Sequence, residues 1–263
     1  MREGTVQRAD AAPSPAVAAA ALERWLGRHG LASWDPYDAL NSPLLGRVQR
    51  YRLPARLCMQ IVKRSPVNLR PWLGIPRTAH TKTLSDLAMV ECLRAAGGDA
   101  GAAARATDRL AELRQRAVPV PAGLAWGMDL PYVSRFVSAS PATPNLFQTV
   151  NAAAAFLAGY EATGEEQHLA HALAVVDFLE QTLGRLEEGP EHVAWRYYPH
   201  QDACVYNVNA LVGAWLQRLG RLADRGDLVA LGRRTLRFVV EAQNSDGSWF
   251  YERGPDGRWV DGF

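Results

Sequence analysis

Three tryptophans in this 263-residue chain sit in polar, turn-rich stretches that also carry carboxyl, phenol and imidazole groups. Trp126 stands three residues before Asp129. Trp195 is followed by Tyr197, Tyr198, His200, Asp202 and Asn207, and Trp249 by Tyr251, Glu252, Asp256 and Asp261. Flat aromatic faces beside donors and acceptors suit a ring with an apolar side and a hydroxyl rim, which is the chemistry of a sugar. Two carboxyls about 5 to 10 Å apart, one kept protonated, would allow hydrolysis of a glycosidic bond. The candidates for acid–base work are Asp129, Tyr198, His200 and Asp202. Those for ring binding are Trp126, Trp195, Tyr197, Asn207, Trp249 and Tyr251. Elimination on a uronate would use a Tyr or His base with an amide partner, which Tyr198, His200 and Asn207 can supply.

Plainer readings stand beside these. Asp246 and Asp256 each precede a glycine and read as turn residues, and Asp202 can cap the helix that follows it. His168 and His171, three apart on a helix and without a third ligand nearby, read as a solvated helix face rather than a metal pair. Trp34, Asp35, Tyr37, Asp38 and Asn41 form a polar and aromatic cluster that Pro36 stiffens into an Asx-type turn ahead of a helix. No phosphate-binding glycine loop, dinucleotide fingerprint, paired-cysteine motif or serine elbow is present, so no cofactor and no metal is expected.

The elements that must position the candidates follow a repeat. Tight turns centred on Gly98, Gly164 and Gly226 recur after 66 and 62 residues, and each is followed by a helix-length run and then by a tryptophan loop. That period is longer than a tetratricopeptide or armadillo unit and accommodates two helices of four to six turns plus a loop. Apolar periodicity predicts helices at about 15–28, 44–63 (kinked or divided at Pro54), 82–96, 100–116, 144–162, 166–183, 204–224 and 228–243. Thr143 with Pro144 and, further on, Asp227 read as helix starts. No stretch alternates long enough to predict a strand. The expectation is an all-α, α/α toroid of repeated helical hairpins, an incomplete ring of about eight helices. Small residues at 151–155 and 210–214 would let its inner helices approach closely. Turns then fall on one face and tryptophan loops on the other. Residues 1–14 read as a tail and 15–263 as a single domain, whose last loop looks cut short.

Composition bounds the partners. The chain is 48% apolar and 21% charged, ordinary for a globular protein with a sizeable core. A net charge of +2 with Lys and Arg spread along the helices argues against nucleic acid. Three widely spaced cysteines, Cys58, Cys92 and Cys204, read as free thiols of a reducing compartment, which makes the cytoplasm the expected location. The Ala-rich start passes directly into Glu23 and Arg24, unlike a signal peptide, and no apolar run approaches the roughly 20 residues of a membrane span.

Several stretches, WDPYDALNS at 34–42, RPWLGIPRT at 70–78, GLAWGMDLPY at 123–132, the run from 143 to 179, WRYYPHQDACVYNVNAL at 195–211 and QNSDGSWFYERGPDGRWVDGF at 243–263, resemble the α/α-toroid, six-hairpin glycosidase-like superfamily. Within it they are similar to proteins encoded with bacterial exopolysaccharide biosynthesis genes. The resemblance implies a carbohydrate-active or carbohydrate-binding protein with a glycosidase- or lyase-like cleft and a polysaccharide or oligosaccharide partner. Relatives continue past the closing Asp-Gly-Phe into further hairpins, and a six-hairpin ring has twelve helices. QNSDGSW at 243–249 is also similar to the QW repeat of isoprenoid cyclases. There the Gln ties off a helix end and the Trp stacks on the neighbouring repeat, although the acidic cluster of those enzymes is missing. A non-catalytic helical scaffold is the third reading.

Overall fold

The computed structural model describes residues 14–134, 137–254 and 257–260. Eight α-helices are found among them: α1 Pro15–His29, α2 Arg52–Arg64, α3 Thr81–Ala96, α4 Ala100–Gln115, α5 Leu146–Thr163, α6 Glu166–Phe178, α7 Tyr206–Leu222 and α8 Gly226–Glu241. Periodicity located each of them. The expected 44–63 helix is divided into a 3-10 turn at Gly46–Arg50 and α2, and Pro54 falls in the first turn of α2, where a missing N–H costs least. The 166–183 helix changes to a π segment at Leu179–Leu183. Of the expected tail, only Ser14 is described, and it accepts from the Val17 N–H to cap α1.

The pairs α3/α4, α5/α6 and α7/α8 are hairpins, and α5 packs in turn on α3 and α7. α5 is central because it is apolar nearly all round, buried from Leu146 through Gly159 at most positions. Its Ala152, Ala153 and Ala155 have no exposed surface and keep neighbouring helices close. At the α7/α8 crossing the approach is tighter still. A Cβ on Gly232 would come within 2.6 Å of the Gly213 carbonyl, so only glycine fits there.

Gly164, at φ +71, ends α5 in the left-handed conformation and returns its N–H to the Tyr160 carbonyl. Two expected caps are corrected. Asn145, not Thr143, caps α5 by accepting from the Gln148 N–H, while the Thr143 hydroxyl oxygen accepts from the Ser140 N–H. Asp227 lies in the first turn of α8 and pairs with Arg225, which holds the cap position. The loops also contain two short antiparallel ribbons, β1 Tyr132–Val133 with β2 Ser138–Ala139 and β3 Arg185–Glu188 with β4 Val193–Trp195. Segments of two to four residues are too short to show alternation in a sequence, and they leave the all-α class unchanged.

The tryptophan loops leave the hairpins at the ends opposite the Gly98, Gly164 and Gly226 turns. The Trp126 indole N–H donates to the Leu113 carbonyl in the last turn of α4, and that of Trp249 to the Val239 carbonyl in the last turn of α8. The backbone N–H of Trp195 donates to Asn209 in the first turn of α7. Residues 33–78 form a separate small unit, in which Ala39, Leu40, Ala55, Met59, Val62 and Ile75 pack together with Val133. The expected Asx turn is present, with Asp35 accepting from the Tyr37 N–H at 2.7 Å. Asp38 is buried and receives the Arg70 Nε at 2.9 and 3.0 Å, and the Trp34 indole donates to the Ile75 carbonyl. The WDPYDALNS and RPWLGIPRT stretches are therefore two halves of one interlocked structure.

Candidate functional site

A cavity of about 740 Å3 opens among the loops of the tryptophan face. Six aromatic side chains line it: Tyr37, Tyr132, Tyr197, Tyr198, Tyr251 and Trp259. Met128 and Val137 add apolar wall, and Asp202 and Glu252 bring carboxyl groups. Four segments contribute. Tyr37 comes from the turn before the 3-10 helix at Asp38–Asn41, and Tyr132 from β1. Tyr197 and Tyr198 follow β4 in a loop closed by the Tyr197 N–H donating to the Ala203 carbonyl at 2.8 Å. The chain after α8 folds back on itself, with the Tyr251 N–H on the Trp259 carbonyl at 2.9 Å, and the two rings stack at 5.0 Å and 14°. The Arg253 N–H donates to the Cys204 carbonyl and ties this loop to the start of α7.

Of the residues expected at a site, Tyr197, Tyr198, Asp202 and Tyr251 line the cavity. The other candidates are elsewhere, for specific reasons. Trp126 and Trp195 have no exposed surface, so neither offers a face to a ligand. The Trp195 indole donates to the Thr235 hydroxyl on α8 at 3.1 Å, and both rings join hairpins rather than bind a sugar. Trp249 is tied to the end of α8 by its indole N–H, and Gln243 donates to the Gly247 carbonyl within the loop, so the QNSDGSW segment is structural but the Trp, not the Gln, ties off the helix end.

Asp129 is corrected most clearly. Its carboxylate accepts the Thr81 N–H at 2.7 Å and the Thr81 hydroxyl at 2.8 Å, capping α3 from 48 residues away. Asp129 itself adopts φ +63, a conformation more tolerable for Asp than for most residues. His200, exposed at φ +61, and Asn207, exposed in the first turn of α7, do not line the cavity. Asp246 forms the expected turn by accepting from Ser248, whereas Asp256 and Asp261 lie outside the described residues. His168 is buried rather than solvated, and both His168 and His171 pack on Phe156.

The cavity wall has a definite electrostatic character. Burial pushes the Tyr197 and Tyr198 phenols above their ordinary range, so both remain neutral hydrogen-bond donors rather than bases. The Tyr198 hydroxyl donates to the Met128 sulfur at 3.1 Å. Asp202 is largely exposed and ion-paired with Arg196. Glu252 is half-buried beside Cys204, whose thiol is pushed up to about 12, chiefly by burial and secondarily by the Glu252 charge. Lys63 lies over the Tyr37 ring at 4.1 Å from its centroid and donates to the Tyr37 oxygen. Sequence reasoning passed over Tyr132 and Met128, although both fall in the GLAWGMDLPY stretch. It also left Trp259 and Glu252 outside the chosen set.

These hairpins, with their turns on one face and an aromatic cavity on the other, define the fold as an α/α toroid, of which the described residues form eight helices. The backbone matches a glycoside hydrolase family 76 mannosidase from Bacteroides thetaiotaomicron VPI-5482 with a TM-score of 0.51 and 12% identity, over 69% of this chain and 49% of that one. A family 76 glycoside hydrolase from a bovine Bacteroides thetaiotaomicron strain aligns with a TM-score of 0.48 and 15% identity, over 69% of this chain and 38% of that one. The likeness is one of fold, and the chain spans about half the length of the first of these proteins. No model of a known protein family and no curated protein matches the sequence.

Proposed function

We propose that the loop-face cavity is a saccharide site and that the protein acts on, or binds, a polysaccharide or oligosaccharide in exopolysaccharide metabolism. One observation carries this reading: the stacked Tyr251–Trp259 pair and four further tyrosines surround a cavity that also holds two carboxyl groups, Asp202 and Glu252. Aromatic faces match the apolar side of a pyranose, and phenols and carboxyls match its hydroxyls. In a hydrolysis, Glu252, half-buried, is assigned the proton transfer to the leaving oxygen, and Asp202, open to water, the activation of the nucleophile or its replacement. Elimination is the weaker reading, because buried neutral phenols are poor bases. The isoprenoid-cyclase reading rests on the QNSDGSW segment alone, whose Trp249 indole is bonded to the end of α8 and whose Gln243 is bonded within its own loop. Free Cys58, Cys92 and Cys204 support a cytoplasmic location. No helix among the described residues is long and apolar enough to cross a membrane.

The test is to offer the purified chain neutral and uronate-containing polysaccharides, following retardation in affinity electrophoresis, new reducing ends and new unsaturated uronates. Retardation by a polysaccharide is expected. If reducing ends accumulate, Glu252→Gln should lower their rate by about 100-fold or more, the usual range for removing a general acid. Retardation without turnover would reduce the proposal to a binding protein. A folded chain that no polysaccharide retards would overturn it.

A further inference from the structure

Between Asp38 and Asp86 the sequence contains no acidic residue, while Arg47, Arg50, Arg52, Arg56, Lys63 and Arg64 fall within 18 positions. The basic residues are thus locally concentrated, which corrects the reading that Lys and Arg are spread along the helices. The segment forms the 3-10 turn and α2. α2 buries Ala55, Met59 and Val62 against the small N-terminal core. Its opposite side is also apolar: Leu53, Leu57 and Ile61, at i, i+4 and i+8, are 65%, 54% and 61% exposed. Arg56, Gln60 and Arg64 flank this stripe on one side and share a shallow groove with Leu53 and Leu57. Trp72, on the connection leaving α2, is 74% exposed.

We propose that this face docks on an anionic lipid surface, with α2 lying in the plane of the interface. The pairing of an apolar stripe with a basic flank on a single exposed helix is what insertion between acyl chains beside acidic headgroups requires. A hydrophilic polyanion would engage the arginines and leave the three aliphatic side chains facing water. Two copies meeting through the stripe would bring the Arg56 and Arg64 flanks of both together, so self-association is disfavoured by charge. The docking face also borders the aromatic cavity. Arg56 and Gln60 line a second small recess with Tyr37, Tyr132 and Ser134, three residues that also line the main cavity. Lipid docking is independent of what that cavity binds.

The experiment is co-sedimentation of the full chain with vesicles of phosphatidylcholine alone and with phosphatidylglycerol added, beside sedimentation velocity without lipid. The chain should pellet with the anionic vesicles, less so as salt is raised, and remain in solution with the neutral ones. The double variant Leu57→Asp, Ile61→Asp should lose this binding to background and keep the melting temperature of the parent, because both side chains are exposed. Arg56→Gln and Arg64→Gln should each weaken partitioning by a factor of about five. Failure to pellet with anionic vesicles would overturn the proposal. So would binding that the Asp pair leaves unchanged, or a stripe-dependent dimer that ignores lipid.

Discussion

The hairpin array, residues 81–241, and the N-terminal unit, residues 33–78, are stabilised by different physics. In the array the helices cover one another, and α5 alone buries Leu146, Val150, Phe156 and Leu157 among its neighbours. Its loops are pinned by fully buried tryptophans that satisfy carbonyls or hydroxyls of the outer helices. The N-terminal unit has a core of a few side chains and is tied by polar contacts: Asp38 with Arg70, the Trp34 indole with Ile75, and the Ser42 hydroxyl with the Leu73 carbonyl at 2.6 Å. α1 buries no residue, and α2 leaves an apolar stripe in the open. A repeat covers its own apolar surface through its neighbours, whereas a unit at the side of the array must use charge and hydrogen bonds to hold its shape.

The largest expected effect lies in the array. Trp195→Ala should lower the stability measured by urea denaturation by about 3 to 5 kcal/mol, since it leaves a cavity and removes the indole donor from the Thr235 hydroxyl, which keeps its bond to the Leu231 carbonyl. A loss below about 1 kcal/mol would mean that the buried tryptophans do not hold the hairpins together. Next, Asp38→Ala should cost about 3 kcal/mol, at the low end for a buried pair because Arg70 retains some access to water. Hydrogen exchange should show that loss over residues 33–78 while protection in α5 persists. Equal loss of protection in both regions would erase the distinction between them.

A smaller effect concerns pH. Burial lowers the affinity of His168 and His171 for protons, and nearby Arg114 adds to this at His171. Glu165, 3.5 Å from His168, opposes the shift but does not outweigh burial. The unfolded chain, with ordinary histidines near 6.5, therefore binds protons first as pH falls. Their stability contribution is complete above that value and declines below it until the folded histidines also titrate, by at most about 1.4 kcal/mol per pH unit for each. Denaturation midpoints at successive pH values should follow this slope, and His171→Phe should reduce it.

Much of the helical pattern was legible because long amphipathic runs and glycine turns announce themselves over a dozen residues or more. The site was only partly legible. Nothing local distinguishes buried Trp126 from exposed Trp259, both in glycine-bearing loops, because exposure depends on which helix end the indole meets. Asp129 looked reactive three residues after a tryptophan, yet its partner Thr81 is 48 positions earlier and no spacing rule reveals it. Tyr37 and Tyr132, distant in sequence, meet at 5.8 Å in the cavity wall only because the N-terminal unit folds against β1. Asp202 and Tyr198 were identifiable because their loop is short and remains on one face.

The buried Trp126 and Trp195 are packing residues, whereas the Tyr251–Trp259 pair is the proposed saccharide platform. Affinity electrophoresis of Trp259→Ala, normalised to the folded fraction, tests this assignment most directly on the polysaccharide that retards the parent. The account predicts a binding loss of about 1 to 3 kcal/mol with little change in melting, since Trp259 is 51% exposed. Unchanged retardation of a folded Trp259→Ala chain would contradict it.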